Sequence, residues 1–150
     1  MITLNVPTFV MLPKKTKADE KVILNINTTR NMDRFKLGKV KNIFYYQFKP
    51  EMDRVKIEYN LKLLSKVHFY KKVFKTDFQP EFKLRYTITA ANKRKFDIAN
   101  MLSIIDKFAC DCLVKDGFMP DDNWEYLTEV TYAFGGLAKE RTCKLELIME

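Results

Sequence analysis

One histidine, three cysteines and four glycines stand among 150 residues, and each scarcity removes a class of function. With His68 the only imidazole, no two-histidine site can form within the chain, and Cys110, Cys112 and Cys143 lack the C-x2-C spacing of a zinc ligand set. The cysteines are odd in number, and two of them lie too close in sequence to favour a mutual bridge. Buried free thiols in a reducing compartment are expected. No stretch approaches the roughly 20 consecutive apolar residues that cross a bilayer, and MITLNVPTFVMLPKK carries no basic segment ahead of its apolar run. These absences predict an unprocessed cytoplasmic protein without a membrane segment.

What is present is an apolar share of 47% and a charged share of 31%, enough for one globular domain over residues 1–150. The net charge of +8 divides unevenly. Residues 1–96 hold 22 Lys/Arg against 8 Asp/Glu, a surplus of 14, whereas residues 97–150 hold 5 against 11, a deficit of 6. The basic part suits a polyanion, and the acidic part would repel that partner unless a cation were bound there. A divalent metal resolves the conflict.

Ile2–Met11 and Lys21–Asn27 are rich in β-formers, with Val22, Leu24 and Ile26 alternating against polar neighbours. Leu37, Val40, Phe44 and Phe48 follow helical spacing behind Asp33, and Pro50 is expected to close that helix. Residues 55–63 alternate and predict a half-buried strand, although Met52, Val55, Tyr59 and Leu63 also fall at helical intervals. Phe82–Thr89 is a further strand, Asp97–Leu113 a helix with Ile98, Met101, Leu102, Ile105 and Phe108 on its apolar side. Trp124–Ala133 and Arg141–Ile148 read as final strands around Gly135–Gly136. The expected fold is a single α+β domain, a mixed sheet covered by two helices.

Chemistry concentrates in residues 93–122. Lys93-Arg94-Lys95 precedes the second helix, Asp97 stands at its start and Asp121-Asp122 follows it. Each has an ordinary reading, as an exposed basic run, an N-cap and a solvated turn. A helix from 97 to 113 is about 24 Å long, and the nine steps from 113 to 122 span about 30 Å when extended, so the chain is long enough to bring Asp122 back to the helix start. Asn100 lies about 60° from Asp97 around the axis, Asp106 points to the opposite face and is expected in solvent, and Asp111 stands about 21 Å further along. Asp97, Asn100, Asp121 and Asp122 are therefore the candidate metal donors. Such hard oxygens suit Mg2+ or Mn2+, completed by water and phosphate.

The run from Lys93 through Asp97-Ile-Ala-Asn100, the helix bearing Asp111-Cys-Leu113, Gly117 and Asp121-Asp122 resembles the RusA-type Holliday junction resolvases, particularly their phage-borne members. Asn25-Ile-Asn27-Thr-Thr-Arg30-Asn31 is similar to an N-terminal loop of the phage relatives. The resemblance spans about residues 82–148 well and 1–48 loosely. It implies a homodimeric, Mg2+-dependent endodeoxyribonuclease making paired nicks in four-way DNA during recombination, repair or phage DNA processing, in the host cytoplasm if phage-encoded. Asp97 matches the first motif acid and Asp122 the acid of the D-D pair, both metal ligands in the family, with Asp121 beside it. Two positions depart: Ala99 replaces the second acid and Ser103 the usual lysine, while the helix is about one turn longer. Either the extra turn shifts the alignment, or Asn100 is the substitute ligand and Lys107 or a loop lysine supplies the positive charge; Asp111 is at least as well suited to packing or a dimer interface as to catalysis.

Two function classes follow. In a nuclease, Lys14, Lys15, Lys17, Arg30, Lys71, Lys72, Lys93, Arg94 and Lys95 would contact phosphates, and a two-fold dimer would set its sites on symmetric strands. The alternative is a protein of the same family that binds branched DNA without cutting it, as the loss of the acid at Ala99 suggests.

Overall fold

A computed structural model describes residues 1–150. In chain order the elements are β1 (Ile2–Val6), β2 (Phe9–Leu12), β3 (Glu20–Ile23), α1 (Ile26–Arg30), α2 (Arg34–Phe69), a π-helical extension (Tyr70–Phe74), β4 (Phe82–Ala90), α3 (Ile98–Lys115), β5 (Leu127–Leu137) and β6 (Cys143–Met149). Four strands form one mixed sheet in the order β1-β6-β4-β5, with β4 and β5 parallel and the other pairs antiparallel, while β2 and β3 make a separate hairpin. The result is the expected α+β domain.

Burial alternates along the strands. Ile2, Leu4 and Val6, Phe82, Leu84, Tyr86 and Ile88, and Cys143, Leu145 and Leu147 all point into one core, and their neighbours Thr3, Arg85 and Lys144 point to solvent. Only one face of the sheet needs covering, and α2 and α3 cover it. α3 lies between the parallel strands β4 and β5 in sequence, so its start follows the C-terminal end of β4 and its end precedes the N-terminal end of β5.

Two expectations are overturned. Pro50 does not end the first long helix, and residues 55–63 are helical rather than extended. Val40, Phe44, Phe48, Met52, Val55 and Tyr59 form a buried stripe every three or four residues straight through Pro50. Pro50 itself is exposed, so the carbonyl that loses a partner faces water, which meets its hydrogen-bonding need. Gly135 and Gly136 lie inside β5 rather than in a turn. Minor differences concern boundaries: the first strand region breaks at Pro7, and Ile26 and Asn27 belong to α1 because Asn25 Oδ1 accepts the Thr28 N–H at 2.7 Å and caps that helix.

All three cysteines are free and buried. Burial pushes the Cys112 and Cys143 thiols up to about 12, and Cys110 is raised by burial and by the carboxylates of Asp106 and Asp122. We expect no alkylation by iodoacetamide in the native protein at pH 8 and three adducts by mass after denaturation.

Candidate nucleic-acid interface

Asp97 is the N-cap of α3, with Oδ1 accepting the Ala99 N–H at 2.9 Å. The other carboxylate oxygen has no protein partner. Three residues on, Asn100 shares with Asp97 a cleft of about 440 Å³ that is also lined by Asn25, Asn27, Arg94, Lys95, Phe96 and Arg141. Residues from the β3–α1 junction, the β4–α3 loop and the β5–β6 loop thus meet around the start of α3. Arg94, Lys95 and Arg141 form no ion pair. The Arg141 guanidinium sits 4.4 Å from the Phe96 ring centre and donates to Met101 Sδ at 3.2 Å. One carboxylate among three uncompensated cations gives a positive cleft, chemistry suited to a phosphodiester backbone.

The four predicted metal donors are not assembled. No three His, Cys, Asp or Glu side chains lie close enough to hold a metal ion, and Asp121 and Asp122 lie toward the other end of α3. The helix closes there with a Schellman turn: Phe118 N–H donates to Leu113 O at 2.8 Å and Gly117 N–H to Val114 O at 3.1 Å, with Gly117 at φ +78°. Phe118 and Met119 are then buried, and the Phe118 carbonyl accepts from Tyr59 Oη. These anchors hold the following turn by the helix end, although its length would permit a return to Asp97. Asp121 is spent on the turn, accepting from the Asp122 N–H at 2.8 Å and from Asn123 Nδ2 at 2.9 Å.

Partial desolvation, then Asp121 and more distantly Asp111, raise the Asp122 carboxyl above the ordinary aspartate value. A raised folded pKa means that the ionised form opposes folding; the cost is absent below the unfolded pKa and complete above the folded one. Asp122→Asn is expected to raise the melting temperature slightly at pH 7 and to lose that advantage by pH 3, as followed by circular dichroism.

Asp106 is not in solvent. It is half-buried between α3 and the sheet, accepting from Cys110 Sγ at 3.2 Å and Tyr132 Oη at 3.4 Å. Burial and Asp106 push the Tyr132 hydroxyl up to about 12. Lys107 is exposed, about 15 Å along α3 from Asp97, and does not line the cleft. Ser103 has a buried hydroxyl without a partner. Asp111 is exposed beside a hollow between α2 and α3 that also holds Lys41 and Lys115.

Of the predicted phosphate contacts, Lys93, Arg94 and Lys95 occupy the loop before α3 and are exposed, and Arg30 is in the last turn of α1. Lys14, Lys15 and Lys17 lie between β2 and β3, with Lys14 paired to Glu20 at 3.4 Å. Lys71 and Lys72 are on the π-helical extension, about 55 Å along the α2 direction from Arg34, and belong to a different surface. Sequence reasoning passed over Arg141 and Phe96; the one signal for Arg141 was its place with Lys139 and Lys144 in a short cation-bearing stretch of the otherwise acidic C-terminal part. No protein-family model and no curated protein matches the chain.

Proposed function

We propose that the protein is a RusA-type, metal-dependent endodeoxyribonuclease that acts as a homodimer on four-way or otherwise branched DNA. The observation that carries this reading is convergence: Asn25 and Asn27 of the N-terminal loop and Asp97 and Asn100 at the start of α3, some 70 residues apart in sequence, line one cleft with Arg94, Lys95 and Arg141. Arg94, Lys95 and Arg141 bind and orient the phosphodiester backbone. The donor set at this end, one carboxylate oxygen and a carboxamide oxygen, fits a hydrated Mg2+ or Mn2+ whose coordination is completed by water and a DNA phosphate. Asp97 and Asn100 would hold that ion, which supplies Lewis-acid polarisation of the phosphodiester and lowers the pKa of the attacking water.

A second reading, a branched-DNA-binding protein that does not cut, draws on Ala99 and on the place of Asp122 at the far end of α3. The two separate on a labelled four-way junction and a linear duplex of matched sequence, incubated with Mg2+ or Mn2+. The nuclease gives paired, symmetric nicks in the junction and spares the duplex. A junction that stays intact with both metals, yet is bound in a salt-sensitive manner, supports the second reading and contradicts the first.

A further inference from the structure

Beside the acid cleft, and sharing Phe96, Arg94 and Lys95 with it, lies a larger cavity of about 650 Å³. Phe96, Phe134 and Leu137 contribute apolar wall, and Lys93, Arg94 and Lys95 form a cationic rim. Phe96 and Phe134 meet edge to face, ring centres 6.2 Å apart. Phe134 and Leu137 remain 52% and 57% exposed, so this apolar surface is open to water.

The wall depends on a local feature of β5. Phe134 pairs with Ile88 and Leu137 with Ala90, so two residues of β5 stand opposite one of β4. That bulge brings Phe134 and Leu137 to the same face, where unbroken alternation would set them on opposite ones. Glycine suits both bulge positions: a Cβ on Gly135 would stand 2.7 Å from Thr87 Cγ2 and force that side chain to shift, and Gly136 has φ +92°, where a side chain would be strained. Bulges of this kind re-aim side chains beside functional sites.

We propose that this cavity receives an unstacked nucleobase of the DNA strand whose backbone crosses the Asp97 cleft. The inference rests on the nuclease or DNA-binding reading of that cleft and adds how branched DNA is told from linear duplex. The flat apolar face of a base stacks on aromatic rings whatever its identity, and the phosphates on either side meet the cations of the rim, none of which is engaged in an ion pair. In linear duplex both faces of every base are already covered by neighbours. At a branch point or in a single strand a base swings out at low cost, so the cavity favours branched DNA without reading sequence.

The test measures binding by fluorescence anisotropy in EDTA, so that it does not depend on cleavage. Wild type and Phe134→Ala are compared on a four-way junction, on linear duplex, and on junctions carrying an abasic site at each nucleotide flanking the branch in turn. Phe134 is half-exposed on an edge strand, so the variant folds; Phe134→Tyr, which keeps the ring, restores binding. Expected is a loss of about 5- to 100-fold on the junction for Phe134→Ala, with linear duplex affinity unchanged. One abasic position should cost wild type the same factor and the variant nothing further, the signature of a direct contact in a double-mutant cycle. Unchanged junction affinity in Phe134→Ala overturns the proposal, as does an equal loss on duplex. So does a loss traced by sedimentation to a broken dimer, which would make the cavity a contact between copies. Metal-dependent nicking of the junction by wild type, combined with any of these outcomes, would leave the nuclease reading standing and remove this one alone.

Discussion

Asp97→Asn is expected to lower metal-dependent DNA cleavage by about 100- to 1000-fold or more while leaving the fold and DNA affinity in EDTA essentially intact. The two roles of Asp97 are separable on chemical grounds. As N-cap it needs only an oxygen to accept the Ala99 N–H, and asparagine is as good a cap as aspartate. As the sole carboxylate of the cleft it would supply, in the proposed nuclease, the formal negative charge that a divalent ion needs, and an amide oxygen would not. Removing several kcal/mol of transition-state stabilisation at about 1.4 kcal/mol per tenfold gives the stated loss. Binding without metal should hold or improve slightly, because one negative charge leaves a phosphate-facing surface. A gel assay of junction cleavage, paired with thermal melting and anisotropy in EDTA, checks all three parts. Asp97→Ala is the contrasting variant, expected to lose activity and also about 1 kcal/mol of stability through the missing cap.

Phe44→Ala carries the largest expected effect on stability. Its ring is fully buried and joins the two long helices, edge to face with Phe108 of α3 at 5.5 Å and tilted against Phe48 of α2 at 5.8 Å. Truncation removes both contacts and leaves a cavity that a 36-residue helix is poorly placed to close, so about 3–5 kcal/mol is lost. Against a total of about 5–15 kcal/mol, that is a large fraction. At about 2–4 °C per kcal/mol for a chain of this size, the melting temperature should fall by about 6–20 °C. Phe35→Ala, at a residue 80% exposed, should barely move it. A Phe44→Ala loss below about 1 kcal/mol in urea denaturation would mean that α2 and α3 do not pack as described. Since α3 presents Asp97 and Asn100, that variant should also show weakened activity well below its melting point.

Those elements whose pattern reports a single contact face were legible in the sequence. Phe82–Thr89 alternates because β4 buries every second residue, and Asp97–Leu113 has helical spacing because α3 buries one side. Residues 55–63 misled for a physical reason: Val55 and Tyr59 are buried, but Ile57 and Leu61 are 75% and 63% exposed, and those exposed apolar residues completed an alternation that no strand uses. Proline as a stop failed likewise, because the burial of Met52, Val55 and Tyr59 outweighs one missing hydrogen bond on a solvent face. Asp106 looked like a surface charge, since a thiol and a phenol as partners leave no sign in helical periodicity. For Asp122, chain length permitted a return to Asp97, but reach is only an upper bound, and the Schellman closure with the burial of Phe118 holds the turn elsewhere. The cleft itself was half legible. Asp97, Asn100, Arg94 and Lys95 are neighbours in sequence, whereas Arg141 and Asn25 reach it only through the β5–β6 and β3–α1 junctions.

In the proposed nuclease, Asp97 and Asn100 at the start of α3 would hold the divalent ion. The most direct test of that placement is to bind Fe2+ in place of Mg2+ to the complex with a four-way junction, start hydroxyl-radical chemistry with ascorbate and peroxide, and map the backbone cuts in the protein by mass spectrometry. Cuts are expected to cluster at residues 25–27 and 94–100 and to be lost in Asp97→Asn. Cuts clustered at residues 106–122 instead, or a pattern unchanged by Asp97→Asn, would contradict it.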